Sequence, residues 1–520
     1  MKRFIVGTSV LAVAITAALG QPLVIQQLNN NGQLKWNDIS TAFVQANSYT
    51  IEWAPRVGGT QTTWTPLSVI PATNTSYTVD VPMFYRLRAN VAGHFPKLKL
   101  ATFSDAHYFA PSLLVNDGPA FQGYLAADRK LLLQSQAILD EMITELKQAQ
   151  PQIVLVSGDL TKDGELICHQ AMTNYLGQLK AAGAKVFVVP GNHDINNPHA
   201  VSYDGVTTTP VPSITPAQFA TLYAGCGYGD AVARDPNSLS YVAEPTPGLL
   251  ILAMDSCHYE RNTNGAPFTG GYFDAPRLNW ITNQLAAARS QGKFVFGMMH
   301  HGILEHYAGQ KMLFPEYVLD DYQAVSQIFA SYGMEVVFTG HYHAQDVVKA
   351  TFSQGSLLDI ETGSAVTFPC PYRLLDLESS GALTITSHPI TTINYDLGGV
   401  PFTTYASNYL HAGLMDLATY MLTHPPYNLP LSTAQFLAPA MTEAFVAHYQ
   451  GDEGPISPQT QGVIAYLRSL GDPMSGLMAN TLSSLFHDLE PADNNLTVEL
   501  IPSGPGFSRA GLSSASRSRQ

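Results

Sequence analysis

Asp105-Ala106-His107, Gly158-Asp159, Gly191-Asn192-His193-Asp194, His300-His301 and Gly340-His341-Tyr342-His343 follow one another across the middle of the chain. Each supplies a carboxylate or amide oxygen or an imidazole nitrogen, and none supplies a thiolate. Such donors suit a pair of divalent cations, and paired cations are a device for attacking phosphate esters. Taken alone, Asp-x-His can be a surface loop and Gly-Asp a simple turn. Gly-Asn-His-Asp and Gly-His-x-His are rarer, and the five in order weigh more than any one.

Groups so far apart in sequence need elements that end where they stand. Apolar runs at 98–104, 153–156, 186–189, 294–298 and 336–338 lead into or close on Asp105, Gly158-Asp159, Gly191-Asn192, His300 and Gly340-His341. Short apolar runs bounded by turn residues predict buried strands. Residues 249–253 form a further run of this type. Helical spacing covers 128–148, with Leu132, Ile138, Met142 and Leu146 among its apolar positions, and also 166–182 and about 274–290. Thr215-Pro216 opens another helix, with a capping hydroxyl followed by proline at the first helical position. Strands alternating with helices predict an α/β region over about 96–390, with functional loops beyond the strand ends.

The flanks read differently. Lys2 and Arg3, an apolar stretch at 4–17 and Ala18-Leu19-Gly20 predict an export signal over 1–20, hence a periplasmic or extracellular protein. An uncleaved anchor is the weaker alternative, because the stretch is short and no second long apolar run follows. Residues 21–95 predict a small β module, with Tyr49, Ile51 and Trp53, then Tyr77, Val79 and Val81, alternating with polar neighbours. It resembles a short fibronectin type III-like sandwich, a spacer or attachment unit. Residues 391–505 turn mostly helical, with Leu410, Leu414, Leu417 and Met421 on one face, Met441, Phe445 and Tyr449 on another, and Asp472-Pro473 opening a further helix. The tail at 506–520 reads as disordered.

Composition narrows the partners. The chain has 520 residues, enough for two to four domains, and a formal net charge of -14. A broad anionic field repels polyphosphate backbones, so no nucleic acid is expected, whereas a small phosphorylated substrate is still allowed. Cys168, Cys226, Cys257 and Cys370 permit up to two disulfides in an oxidising compartment, or four buried thiols, and they lack metal-knuckle spacing.

The motif set resembles the calcineurin-like metallophosphoesterases, whose pattern is DxH, GDxx, GNH(D/E), a strand-end histidine and GHxH. The resemblance implies two packed mixed β-sheets flanked by helices, here with a small N-terminal all-β domain and a C-terminal helical appendage. It further implies that Asp105, His107 and His343 hold one metal, that Asn192, His300 and His341 hold the second, and that Asp159 bridges them. His301 is the alternative to His300. His193 would stabilise or protonate the leaving oxygen, with Asp194 or the metal field setting its pKa; a bracing histidine is the alternative role. Asp346 would orient a ligand imidazole or stand as a solvated loop carboxylate, and His258 and His306 would either reach the pocket to read substrate phosphate or be surface or core histidines.

Purple acid phosphatases resemble this chain in carrying a β domain first, but the tyrosine of their GDxxY motif is replaced here by Lys162. The implied cofactors are therefore two divalent ions among Mn, Zn, Fe(II), Co or Ni. The run Gly158 to Glu165 resembles bacterial exported phosphoesterases, among them cyclic-nucleotide and glycerophosphodiester phosphodiesterases. The expected function is hydrolysis of phosphate mono- or diesters by a metal-bridging hydroxide. The alternatives are a non-catalytic metal- or phosphate-binding protein, and a phospholipase- or sphingomyelinase-like enzyme whose C-terminal helices touch lipid.

Overall fold

The computed structural model describes residues 25–500, apart from 29–32, 38–43, 55–64, 80–83, 94, 127, 263–264, 426, 452 and 488. The expected export signal at 1–20, Val81 of the first module and the tail at 506–520 lie outside those residues.

Lys185–Val188, Ile153–Val156 and Leu98–Phe103 lie parallel in a six-stranded sheet, and Pro371–Leu377, Ala382–Pro389 and Asn495–Glu499 continue it antiparallel. A second, seven-stranded sheet runs Leu249–Ala253, Phe294–Met298, Val336–Thr339 and Gly355–Glu361 in parallel. Antiparallel strands Tyr241–Thr246, Ala231–Arg234 and Asp346–Phe352 close its edges. Parallel strands are covered on both faces, which is why these runs read as unbroken apolar stretches. All of Ile153–Val156 and Leu249–Ala253 is buried.

The two-residue period of a strand then sorts the seven-stranded sheet. Ile251, Phe294, Phe296, Phe338 and Ile360 join the core that holds Leu100, Phe103 and Val154 of the other sheet. Leu250, Leu252, Val295 and Val337 instead pack with Ile281 and Leu285 of the helix Ala275–Ser290 and with Phe329 of Tyr322–Tyr332. Sheet faces sheet with helices outside, the expected α/β architecture. Each parallel strand ends beside the same crevice, and the five motifs occupy the loops there.

One expected helix starts late. The pattern predicted residues 128–148, but the helix is Ser135–Ala149, preceded by a 3-10 turn at Leu132–Gln134. The backbone before it is engaged elsewhere: Lys130 N–H donates to the Asp128 carboxylate at 3.1 Å, and Leu131 N–H donates to Val366 O at 2.7 Å. A tertiary contact has overridden local spacing.

Two three-stranded antiparallel sheets precede this region, Ile25–Leu28/Gln33–Trp36/Ser76–Thr78 and Thr65–Pro71/Val44–Ala54/Phe84–Gly93. Trp36 from one and Tyr49 from the other meet edge to face, their ring centres 5.5 Å apart.

Beyond Pro389 come the helices Phe402–Thr423, Leu431–Gln450, Pro458–Leu470 and Pro473–Ser484. The buried stripe of the first is Phe402, Ala406, Leu410, Leu414, Ala418 and Leu422, so Leu417 and Met421 are only half-buried. Large side chains suggested the wrong line where alanine occupies the contact. Met441 and Phe445 are likewise half-buried, whereas Ala444, Val446 and Tyr449 are buried. The edge strand Asn495–Glu499 has no buried residue, which explains its weak sequence pattern. Tyr307 and Tyr342 pack into the same apolar cluster as these helices, which fastens them behind the Gly-His-x-His loop. All four cysteines are buried free thiols, which decides between the two alternatives. Among the described residues no helix is long and apolar enough to cross a membrane.

Candidate metal centre

Backbone conformation marks the site before any side chain does. Asp105, His107, Asp159, His341 and His343 all adopt positive φ, from 36° to 76°. Non-glycine residues rarely pay this steric cost, and they do so mainly where the surrounding structure needs a side chain aimed in one direction. Five of the expected ligands share this conformation, so the strain is concentrated here.

The side chains converge. His343 Nε2 lies 3.4 Å from Asp105 Oδ1, and His107 Nε2 lies 3.2 Å from His343 Nε2, 3.7 Å from Asp105 Oδ1 and 3.6 Å from Asp159 Oδ2. The same Asp159 oxygen, Oδ2, lies 3.4 Å from His300 Nε2, which stands 3.0 Å from Asn192 Oδ1. Asp105, His107 and His343 offer ligand atoms within 4.8 Å of one another, as do Asp159, His300 and His341. All seven expected ligands are therefore at one place, with Asp159 between the two groups.

The donor set fits cations. Asp105 Oδ1 and His107 Nδ1 are buried without a hydrogen-bond partner. An orphaned buried carboxylate oxygen is costly, and a divalent ion would satisfy it. Burial, and after it the charge of Lys130, holds the His107 imidazole well below its usual range. Burial, and after it His301, does the same for His341, and burial also lowers His343. These neutral rings keep the lone pair that a metal needs. Burial pushes Asp159 up, but His300 and His193 outweigh it and hold the carboxyl well below its usual range. His300 rises to about 9 against its burial because Asp159 faces it. The proton it would carry is what a metal would displace.

Neighbouring groups fix the orientations. His300 Nδ1 meets Ser157 O at 2.8 Å, and His341 Nε2 meets Glu316 O at 3.2 Å. Such outer contacts set the tautomer of a ligating ring. His301 has both nitrogens engaged, with Ser256 Oγ at 2.7 Å and Thr269 O at 2.9 Å, and burial drives its pKa down to about 3. This separates the pair: His300 faces the centre, and His301 braces it from outside.

Other expectations need correction. Asp194 does not reach the His193 ring. Its oxygens accept from the N–H groups of Gly191, Leu160 and Thr161 and from Thr161 Oγ1, so it ties two motif loops together. Burial, joined by the Asp159 charge, pushes it up to about 7 against those bonds. The partner of His193 is Asp163, 2.9 Å from Nδ1. Burial pushes Asp163 up, but Lys162 and His193 outweigh it and bring it down to about 2. Asp163 was visible only as part of the 158–165 run, with nothing in its spacing to assign it a role. Lys162 points away from the centre: its ammonium pairs with Asp163 and Glu165 and lies 4.3 Å above the Tyr124 ring.

Asp346 is neither a solvated loop carboxylate nor a partner of a ligand ring. It is buried between His306 Nδ1 at 2.8 Å and His448 Nδ1 at 3.3 Å. His306 is thus held in a network behind the centre, with Asp359 also against it at 3.3 Å. His258 also has both nitrogens occupied, by Glu260 at 2.6 Å and Tyr272 O at 2.8 Å. Neither histidine reaches the seven ligands.

Glycine opens the necessary space. A Cβ on Gly191 would land within the Asp159 carboxylate, and one on Gly340 would land within Ser104 Oγ and Asp105 Oδ2. Gly191→Ala is expected to lower metal content by displacing Asp159 while the far-UV circular dichroism stays native. Full metal occupancy in that variant would contradict the packing described for this loop.

Residues 98–345 match the family model of calcineurin-like phosphoesterases. A crystal structure of a dimetal phosphatase from Danio rerio is 17% identical, with 57% of this chain and 97% of that chain covered and a TM-score of 0.41. A purple acid phosphatase from yellow lupin (Lupinus luteus) seeds is 11% identical, with 69% of each chain covered and a TM-score of 0.36. No curated protein matches the chain. The chain carries a calcineurin-like phosphoesterase domain at residues 98–345.

Proposed function

We propose that this protein is an exported hydrolase of phosphate mono- or diesters that works with two divalent metal ions. The observation that carries this reading is the convergence of two ligand groups on Asp159, whose Oδ2 lies 3.6 Å from His107 Nε2 of one group and 3.4 Å from His300 Nε2 of the other. In this reading Asp105, His107 and His343 hold one ion and Asn192, His300 and His341 the other, and Asp159 bridges them. When bound, such a pair supplies Lewis acidity toward a phosphate and lowers the pKa of a coordinated water.

The chain's own groups do the rest. His193 has a fifth of its side chain accessible, whereas His107 and His300 are fully buried. It is therefore the imidazole placed to meet a substrate. Burial lowers its pKa, as does Lys130, but Asp159 and Asp163 outweigh them, and the net shift is upward. A histidine shifted in this direction holds its proton to higher pH than a free imidazole and can donate it to a leaving oxygen. Asp163 fixes the ring through Nδ1 and leaves Nε2, 3.9 Å from Asp159 Oδ2, turned toward the centre. Export rests on the charged and apolar pattern of residues 2–20.

The test is turnover of bis(p-nitrophenyl) phosphate and p-nitrophenyl phosphate by protein loaded separately with Mn, Zn, Fe(II), Co or Ni, with bound metal measured alongside. Hydrolysis that tracks two ions per chain supports the proposal. Full occupancy without turnover of either ester would leave a metal- or phosphate-binding protein instead.

A further inference from the structure

A second cluster of metal-type donors lies behind the centre, where the C-terminal helices meet the α/β region. Asp346 opens the strand Asp346–Phe352, His448 stands in the last turn of the helix Leu431–Gln450, and Glu453 follows that helix. His448 Nδ1 lies 3.3 Å from Asp346 Oδ2 and 2.9 Å from Glu453 Oε1. The three residues offer ligand atoms within 4.8 Å of one another. Between His448 and Glu453 the chain turns at Gly451, whose φ is 72°. A Cβ on that glycine would land on Gln345 O, so the turn presses against the residue before Asp346.

These donors are short of a cation. The Asp346, His448 and Glu453 side chains are only 6%, 1% and 3% exposed. One imidazole edge faces two buried carboxylates, and a single Nδ1 proton can bond only one of them well. Glu453 Oε1 has the hydrogen bond, while Glu453 Oε2 and His448 Nε2 are buried with no hydrogen-bond partner among the described residues. Nearby positive charge is engaged. His306 faces Asp346 Oδ1 at 2.8 Å, Asp359 at 3.3 Å and Glu361 at 3.5 Å. Arg373 donates to the carbonyl oxygens of Asp346 and Glu361. Buried carboxylates are paired or hold metal, and an orphaned oxygen among them marks a place for a cation. The helix C-terminus beside His448 adds the partial negative charge of its last carbonyls. An imidazole with two carboxylates suits Zn, Mn or Co better than Ca or Mg, which take oxygen shells.

We propose that Asp346, His448 and Glu453 form a third cation site, separate from the dimetal centre, whose ion ties the helix Leu431–Gln450 to the strand that follows Gly-His-x-His. The His448 ring packs against Tyr307 and Tyr342, with ring centres 5.1 and 5.7 Å away, and Tyr342 stands between His341 and His343. An ion here steadies the wall behind the ligand loop and touches no substrate. It has three protein residues where the assignment above gives each ion of the centre four. It should therefore fill last, and only at equilibrium with free metal.

The experiment is equilibrium dialysis of the full chain against Zn alone, with bound ions counted for wild type, Glu453→Gln and His448→Asn. Glu453→Gln keeps the shape of the side chain, and His448→Asn keeps an N–H for Glu453 while removing the imidazole. Wild type should bind one ion more per chain than either variant, at free Zn above that which fills the centre. The same rise in Zn should increase the Tm of wild type but not of the variants, because an ion that binds only the folded chain stabilises it by mass action. Co(II) should likewise give an absorption change at the third equivalent in wild type alone. Equal counts in wild type and both variants overturn the proposal, and so does a wild-type titration that ends at the centre's own ions. That titration needs no variant, so it decides the matter even where a substitution prevents folding. None of these readouts depends on turnover, so failure of the hydrolase reading would show separately, as a loaded wild type that cleaves neither ester.

Discussion

Asp159→Ala is expected to empty the centre of both metal ions and to lower kcat/KM by at least about 10³-fold, more than removal of a single transition-state donor costs. The expectation follows from position rather than charge alone. One Asp159 oxygen, Oδ2, lies within 4 Å of nitrogens of His107, His193 and His300, while Oδ1 accepts the N–H of His193. In the proposed assignment every other ligand serves one ion, so its loss should spare the opposite one. Elemental analysis after gel filtration provides the measurement. His343→Ala, as the comparison, should retain about one ion per chain, because the Asp159, Asn192, His300 and His341 side is untouched. If Asp159→Ala retained two ions, or His343→Ala retained none, the bridging role would be wrong. The fold should survive both changes, since the removed groups contribute ligation rather than apolar packing.

The expected ligands were legible because each sits at the end of a parallel strand, and parallel strands announce themselves as unbroken apolar runs. Ile153–Val156, four buried residues, points at Asp159 without ambiguity. What the sequence concealed was the layer behind the ligands. Asp194 follows His193 directly and seemed its natural partner, yet the turn that presents the ring sends Asp194 into the loop backbones and brings in Asp163 from 30 positions away. The late start of one helix was hidden for a related reason: residues 128–134 carry helical spacing, and only the Leu131 to Val366 contact shows that the helix has not begun. Asp346 was likewise ambiguous, since its partners His306 and His448 come from distant segments. Strand-end position can be read from local pattern, but the partner of a buried charge depends on topology.

His193→Ala should separate chemistry from metal binding. The variant should retain two ions, because all seven expected ligands remain, yet lose about 10² to 10⁴ in kcat on substrates with poor leaving groups, the range that general acid catalysis contributes. A nitrophenolate leaves readily without a proton, so the loss on p-nitrophenyl phosphate should be much smaller than on an alkyl phosphate of the same charge. That contrast is the diagnostic, because a histidine that only braces its loop would slow both esters alike. Asp163→Asn should show the same leaving-group dependence with a smaller amplitude, since it loosens the ring's hold at Nδ1 without removing the imidazole. Should His193→Ala also release metal, the residue would belong to the ligand set, a role its Nε2, 3.9 Å from Asp159 Oδ2, is close enough to fill.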